Sequence, residues 1–109
     1  MTIHFEKYHG TGNDFIIIDD REHKVLLTKD QIENLCDRRF GIGADGLLLL
    51  RNKPGHDFEM VYYNSDGLPG SMCGNGGRCI IAFACRLGLI DSSARFLAAD
   101  GEHEASIIS

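Results

Sequence analysis

The sequence predicts an α+β fold in which a strongly curved, mostly antiparallel β-sheet wraps around one central helix, with a second helix outside. Three observations predict this class. Residues Phe58–Asn64 alternate with the two-residue period of a strand that is buried on one face. The run Cys79–Cys85 is apolar at every position, which is typical of a buried helix. Asp100-Gly101 lies between two further strand-like segments and indicates a hairpin.

Three strands are predicted before Phe58. Residues Ile3–Tyr8 alternate as a strand does, and the segment Gly10–Asp14 interrupts them because glycine, asparagine and aspartate favour turns. The short apolar runs Phe15–Ile18 and Leu47–Leu50 are interpreted as buried strands.

The first helix is predicted to begin after Thr28. Threonine is a good N-cap, and Gln31 three residues later completes a capping box. Apolar residues then recur at helical spacing from Ile32 to Phe40, and Gly41 is the predicted stop.

The second helix is predicted from Gly76 to Leu87, with Gly88 as its C-cap. Beyond it, Phe96–Ala99 and Glu104–Ile108 flank the hairpin turn. The chain stops inside this last apparent strand, without a closing turn. The sequence therefore predicts that it is part of a longer protein.

Size and charge restrict the class of protein. With 109 residues the chain fits one domain with a modest core. Its net charge is −5 and its pI about 5.4, and no basic cluster occurs, so nucleic acid is not an expected partner. No apolar stretch reaches membrane-spanning length, and the first residues lack the pattern of a secretory signal. We therefore expect a cytoplasmic protein with reduced cysteines.

The cysteine pattern does not predict a metal site. Cys73, Cys79 and Cys85 recur every six residues, but six helical positions rotate a side chain by about 240°, so the three cannot share one face. No Cys-x-x-Cys pair occurs, and the histidines are scattered. Cys36, Cys79 and Cys85 are interpreted as core residues.

The segment Ser71–Cys79 carries the strongest functional signal. It reads Ser-Met-Cys-Gly-Asn-Gly-Gly-Arg-Cys and leads directly into the apolar helix. Glycines allow the backbone to approach a ligand, and a helix N-terminus offers unpaired N–H groups to an anion. The same helix end favours the thiolate of Cys73. The segment therefore offers a reactive sulfur beside a site for a carboxylate or phosphate, although an ordinary turn with a structural cysteine is the alternative.

Three segments together resemble the amino-terminal half of the diaminopimelate epimerases, which are amino-acid epimerases that work without pyridoxal phosphate. They are Gly10–Phe15, Asn64–Gly67 and Cys73–Arg78. The family pattern Asn-x-Asp-Gly-Ser, four residues, then Cys-Gly-Asn-Gly/Ala-x-Arg matches from Asn64 to Arg78, with Leu68 in place of the serine. The resemblance extends over essentially the whole chain, including Gly41–Gly46.

The resemblance implies a fold and a division of the protein. Each of two similar barrel-like domains encloses a central helix, and the domains meet at the active cleft. Residues 1–109 would be the amino-terminal domain, and the second domain is absent from this chain. The missing carboxy-terminal domain is therefore the implied partner, and we expect the chain alone to be inactive. A homodimer that joins two Cys73 loops is a further arrangement to be tested.

The resemblance also implies a reaction and the residues that perform it. The family converts LL-diaminopimelate to the meso form, in lysine and peptidoglycan precursor synthesis. No cofactor is implied, and one cysteine from each half moves the proton as acid or base. Cys73 is the implied catalytic cysteine of this half. Gly74 and Asn75 would bind the α-carboxylate through backbone N–H groups, and Asn13 and Asn64 would hold polar groups of the substrate.

Structural alternatives remain open beside these roles. Asn13 and Asn64 could be turn residues whose side chains bond their own backbone. Asp14 and Asp66 are interpreted as loop and turn formers. His9 is interpreted as a hydrogen-bonded structural histidine, and Arg78 as a residue that pairs structurally beside the site.

The chain departs from the family pattern at two positions, and three other functions are alternatives. Some family members carry a glutamine of the substrate site where this chain has Gly46, and Leu68 lacks the usual hydroxyl. A proline-racemase-like enzyme would share Met72-Cys73-Gly74 but usually continues with histidine, where Asn75 stands. Phenazine-biosynthesis-like isomerases lack the cysteine. A carboxylate-binding module without catalysis is the alternative from another class.

Overall fold

The computed structural model describes residues 4–10, 12–70 and 74–106. Cys73, Ile3 and the predicted strand end at Ile107-Ile108 lie outside the described residues. Six strands and two helices follow one another along the chain: β1 (Glu6–His9), β2 (Asp14–Asp19), α1 (Lys29–Cys36), β3 (Gly46–Arg51), β4 (Phe58–Asn64), α2 (Gly74–Arg86), β5 (Ser93–Ala98) and β6 (Gly101–Ser106).

The six strands form one sheet in sequence order, β1-β2-β3-β4-β5-β6. The pairs β1–β2, β3–β4 and β5–β6 are antiparallel, whereas β2–β3 and β4–β5 are parallel. The prediction of a mostly antiparallel sheet is therefore confirmed. The sheet is not closed, because no pairing between β1 and β6 joins its two edges within the described ranges.

The two parallel pairs explain why the helices lie on opposite faces of the sheet. Each parallel pair needs a crossover connection, and α1 and α2 are the two connections. Strands β2 and β4 run in opposite directions while the chain advances toward the same edge. Right-handed crossovers then require one helix on each face. This arrangement confirms the central helix with a second helix outside.

Each helix covers its own layer of core. The face under α2 is formed by alternate strand residues such as Ile17, Leu48 and Met60, which pack with Ile80 and Phe83 of the helix. The opposite face is smaller and lies under α1, where Ile32 and Cys36 contact strand residues including Leu47 and Leu49. Neither helix is long and apolar enough to cross a membrane within the part of the chain described here.

The first helix is shorter than predicted. The capping box is present: the Thr28 hydroxyl accepts from the Gln31 N–H, and the Gln31 side chain accepts from the Thr28 N–H. However, α1 ends at Cys36 rather than near Phe40. Asp37 is extended, and its carboxylate accepts the N–H groups of Arg39 and Phe40, so a side-chain turn replaces further helix.

The second helix and one cysteine also differ from expectation. Helix α2 begins at Gly74, two residues before the predicted start, and Gly88 follows it with a φ of 80°, as expected for a C-terminal glycine. Cys36 and Cys79 are buried, as predicted, but Cys85 is exposed. The prediction of Cys85 as a core residue is therefore wrong, because six helical positions carry it away from the buried face of Cys79.

Candidate active site

One end of the sheet gathers the candidate site residues. Asn13 directly precedes β2, and Asn64 is the last residue of β4. Between them, Gly46 begins β3, with Phe15 beside it on one strand and Asn64 opposite it on the other. Helix α2 begins over the same end, because a Cβ on Gly76 would lie 3.7 Å from both Phe15 and Leu48. The fold thus brings the three sequence motifs to one place.

The loop before β2 is tied directly to the first turn of α2. The Asn75 side-chain Nδ2 donates to Oδ1 of Asn13 over 2.6 Å. Gly10 approaches the helix so closely that a Cβ there would lie 2.9 Å from the Cβ of Asn75. A side chain at position 10 would therefore push the loop away from the helix. Asn13 bonds across the fold, whereas the sequence left open a bond to its own backbone.

Asn13 is also held from the other side, by Asp45. Its Nδ2 donates to Oδ2 of Asp45 over 3.1 Å, and the Asp14 N–H donates to the same oxygen over 3.0 Å. The second oxygen of Asp45 accepts from NH2 of Arg38 over 3.1 Å. Asp45 therefore joins the loop before β2 to the loop between α1 and β3.

Asp14 is the buried centre of this ion-pair network. Arg38 donates to both its oxygens, over 3.0 and 2.7 Å, and the Lys7 ammonium lies 3.1 Å from Oδ2. Lys7 also donates to the Gly43 carbonyl. Chiefly through the Arg38 bonds, and further through Lys7, these cations hold the pKa of Asp14 well below the usual range of an aspartate. The interpretation of Asp14 as a loop former is wrong: it is the first residue of β2 and is 9% exposed.

The network faces an open depression of about 300 Å³. Its lining is polar or backbone, so it suits a charged, hydrogen-bonding ligand rather than an apolar one. His9, which ends β1, lies exposed on its rim. The lining residues are His9, Gly10, Gly12, Asn13, Asp14, Arg38 and Asp45.

Asn64 lies at the same sheet end in a different setting. Its N–H donates to the Leu68 carbonyl and its own carbonyl accepts from Gly67, which closes the turn after β4. The Asp66 carboxylate accepts the Leu68 N–H, so Asp66 is a turn former as interpreted. The Asn64 side chain lies against Gly70, where a Cβ would come within 2.9 Å of its Oδ1.

Gly46 is covered by a tyrosine from the neighbouring strand. A Cβ at Gly46 would lie 2.8 Å from Cε1 and 3.3 Å from the hydroxyl of Tyr62. The Tyr62 ring in turn meets Phe15 edge to face, with ring centroids 6.2 Å apart. The space over position 46 is therefore occupied by Tyr62, which accounts for the glycine.

Two of the three cysteines in the described residues, Cys36 and Cys79, are buried. Burial raises the pKa of the Cys36 thiol, which favours its protonated form. Cys79 is buried beside Tyr8, whose pKa is raised by burial and by the proximity of that sulfur. Cys73 lies outside the described residues and directly precedes Gly74, the first residue of α2. Outside its own helix and its chain neighbours, a Cβ on Gly74 would have no atom of the described residues within 4 Å.

Sequence reasoning missed three residues of the site. Lys7 comes from β1, whereas Arg38 and Asp45 both come from the connection between α1 and β3, and isolated charges in the sequence do not reveal that they meet at Asp14. In the sequence, the only sign of this network is the position of Asp45 within the Gly41–Gly46 segment. Arg78 contacts Asn75 over 3.4 Å, which confirms its pairing beside the site.

Comparison with known proteins identifies related sequences. A family model described as diaminopimelate epimerase matches residues 5–108. A protein named diaminopimelate epimerase from Flavobacterium psychrophilum is 58% identical over 104 residues, which are 93% of this chain and 40% of that protein. One of the same name from Chlorobaculum tepidum is 49% identical over 100 residues, 90% of this chain and 39% of that protein. The chain thus spans about two fifths of the length of these relatives.

Solved structures share the fold at low sequence identity. A Bacillus anthracis phenazine biosynthesis protein of the PhzF family aligns with a TM-score of 0.65 and 18% identity, over 95% of this chain and 34% of that chain. A methylitaconate-delta-isomerase aligns with a TM-score of 0.67 and 14% identity, over 100% of this chain and 61% of that chain. At these identities the likeness shows the fold alone.

Proposed function

Because the chain belongs to the diaminopimelate epimerase family, we propose that it is the amino-terminal domain of an enzyme that interconverts LL- and meso-diaminopimelate. The substrate is a small amino acid, and the pathway is lysine and peptidoglycan precursor synthesis. In this proposal a second domain, which the chain does not contain, completes the active cleft.

The proposed reaction needs a group on each face of the α-carbon. One removes the α-proton as a base, and the other returns a proton as an acid, with the roles exchanged in the reverse direction. Cys73 is the proposed group of this half, and the second cysteine would come from the missing domain. Cys73 directly precedes the first residue of α2, which supports this role because a helix N-terminus favours a thiolate.

The α-carboxylate is proposed to bind at the N-terminus of α2. Gly74 and Asn75 are the first two residues of the helix, so their N–H groups point toward its N-terminal end, where the helix dipole is positive. No described residue outside this helix would crowd a Cβ at Gly74, which supports the approach of a ligand there. N–H groups and the helix dipole stabilise a carboxylate, and stabilise more strongly the doubly charged carbanion that forms when the α-proton leaves.

One observation carries the proposal. The Asn75–Asn13 hydrogen bond joins two family motifs that are 62 residues apart, at the entrance of the helix that Cys73 precedes. Asn64 lies two strands away on the same sheet end. Asn13 and Asn64 are thus available as the proposed contacts to polar groups of the substrate.

The test is the α-proton exchange and LL-to-meso conversion by the full-length protein. Cys73→Ser should lower turnover by at least roughly a thousandfold while the fold is retained, because the serine hydroxyl is a far weaker acid than the thiol. Cys85→Ser, in an exposed position, is the matched control and should keep full activity. Near-normal turnover by Cys73→Ser would rule out its role as acid or base.

A second pair of variants tests the carboxylate site. Asn75→Pro removes the N–H, which the first turn of a helix tolerates, and Asn75→Ala keeps it. Both variants lose the side-chain bond to Asn13, so that loss is common to them, and the N–H is kept only in the alanine variant. We expect substrate affinity to fall much further for the proline variant. Equal affinities of the two folded variants would contradict the N–H site.

The chain alone tests the division into two halves. It should fold at least in part and show no turnover, because the proposed second acid–base group is missing. Turnover that appears only when the separately produced remainder is added supports the proposal, whereas turnover by the chain alone contradicts it. Binding of diaminopimelate without α-proton exchange by the full-length protein would favour the carboxylate-binding module.

A further inference from the structure

We propose that Asp45 is a positioning residue of this site, whose carboxylate sets the orientation of the Asn13 side-chain amide and, through it, that of Asn75. The inference deepens the proposed function, on which its activity measurements rest. It is carried by the direction of three consecutive hydrogen bonds.

The first bond fixes Asn13. A carboxylate only accepts hydrogen bonds, so the Asn13 group that lies 3.1 Å from Oδ2 of Asp45 has to be the NH2 group. The amide oxygen of Asn13 then points the other way, toward Asn75. There it lies 2.6 Å from Nδ2 of Asn75, which is the donor that such an oxygen requires.

The other end of this series of hydrogen bonds is a group that only donates. Oδ1 of Asn75 lies 3.4 Å from NH1 of Arg78, and a guanidinium only donates. The bonds therefore run in one direction, from the cation of Arg78 through two amides to the anion of Asp45. Turning the Asn13 amide over would place oxygen against oxygen at Asp45 and nitrogen against nitrogen at Asn75.

Asp45 is itself fixed, so it can act as a reference for the others. Its Oδ2 also accepts the Asp14 N–H over 3.0 Å, and its Oδ1 accepts from Arg38 over 3.1 Å. The Asp45 N–H donates to the Asp14 carbonyl over 2.9 Å. These bonds leave the carboxylate with one oxygen directed at Asn13.

Two variants at this position separate the effect on Asn13 from the ion pair with Arg38. Asp45→Asn can place its amide oxygen at Oδ2, which keeps the acceptor for Asn13 and for the Asp14 N–H. Its NH2 group then takes the Oδ1 position and loses the bond from Arg38, whose side chain is 58% exposed and can bond to water instead. Asp45→Ala removes the acceptor for Asn13 and for the Asp14 N–H as well as the bond from Arg38. In the full-length protein we expect Asp45→Ala to raise KM for diaminopimelate roughly ten- to a hundredfold, as for a lost bond to a charged group, with a smaller change in kcat. Asp45→Asn should stay within about threefold of the parent protein.

A double-mutant cycle tests whether Asp45 acts through Asn13. If it does, Asp45→Ala adds nothing to Asn13→Ala, and the double variant has the KM of Asn13→Ala. Additive losses, or an Asp45→Asn variant as impaired as Asp45→Ala, would overturn the inference. The control is Asp19→Ala, which removes an arginine-paired aspartate from the other end of β2 and should leave KM unchanged.

A measurement without activity separates this inference from the proposed function. In NMR spectra of the 15N-labelled protein, Asp45→Ala should shift the side-chain amide signals of both Asn13 and Asn75, whereas Asp45→Asn should shift neither substantially. An unmoved Asn75 signal in Asp45→Ala overturns the positioning role, even if the enzyme is active. Moved signals in a protein that does not turn over diaminopimelate uphold the positioning role and count against the proposed function alone.

Discussion

Replacing Asp14 by asparagine should destabilise the protein, because the new NH2 group would face the hydrogen-bond donors that surround the carboxylate. The carboxylate accepts from Arg38 at both oxygens, from the Asp45 N–H over 3.1 Å, and from Lys7. An asparagine keeps only one acceptor. With its oxygen at the Oδ1 position it retains one Arg38 bond and the Asp45 N–H, and its NH2 group then faces Arg38 NH1 and Lys7.

The expected loss in the free energy of unfolding depends on how deeply Asp14 and its cationic partners are buried. The Asp14 side chain is 12% exposed, so stranding donors beside it would cost about 3 to 5 kcal/mol if the partners were equally buried. They are not, since the Arg38 side chain is 58% exposed and water can replace part of its bonding. We therefore expect Asp14→Asn to lower the free energy of unfolding by roughly 2 to 3 kcal/mol.

Urea denaturation at several pH values measures this loss and its electrostatic origin. The pKa of Asp14 is depressed in the folded state, chiefly by Arg38, so its contribution is complete above the ordinary aspartate pKa of about 4 and is lost as the pH falls below it. The difference between parent and Asp14→Asn should thus be full at pH 7 and shrink below about pH 4. Asp19→Asn, the control on the same strand, should cost less than about 1 kcal/mol. A difference that stays constant down to pH 2.5 would refute the charge-based reasoning.

Three further outcomes follow from the described contacts. Thr28→Ala should lower the free energy of unfolding by about 1 kcal/mol and Thr28→Ser by much less, because serine keeps the capping oxygen; equal losses would contradict the capping role. Phe83→Ala should cost about 3 to 5 kcal/mol by leaving a cavity under α2, and a loss below about 1 kcal/mol would mean that the site collapses or is not buried. Iodoacetamide should label exposed Cys85 before Cys36, whose pKa is raised by burial; mass spectrometry of the labelled peptides checks the order.

The elements that could be predicted from sequence are those whose cause is local. The capping box at Thr28 lies within four residues, and the apolar run of α2 shows its burial directly. The strand Phe58–Asn64 has the predicted bounds, because its alternation is uninterrupted and turn residues follow it. The end of α1 was misplaced because Asp37 bonds to N–H groups ahead of it, a competition that apolar spacing does not show.

The ion-pair network could not be predicted in the same way. Lys7, Arg38 and Asp45 meet Asp14 only because β2 pairs with β1 on one side and with β3 on the other. That meeting depends on the crossover through α1, which returns the chain beside β2 in parallel register. A charged residue gives no sign in the sequence of which strand will lie next to it. Asn13 was found by its motif, whereas the partners that orient it were found only from the fold.

Gly46 shows how a departure in sequence can be explained by a neighbouring strand. In the sequence alone, Gly46 shows only that this position carries no side chain. In the fold, the Tyr62 side chain packs on the face of the sheet under α2. Its ring and hydroxyl occupy the volume that a side chain at position 46 would enter. Any larger residue at position 46 therefore requires Tyr62 to move, which would also disturb its edge-to-face contact with Phe15. A Cβ at position 46 would also lie 2.9 Å from the backbone carbonyl oxygen of Tyr63, so a substitution at Gly46 is a test of packing rather than of the site's chemistry.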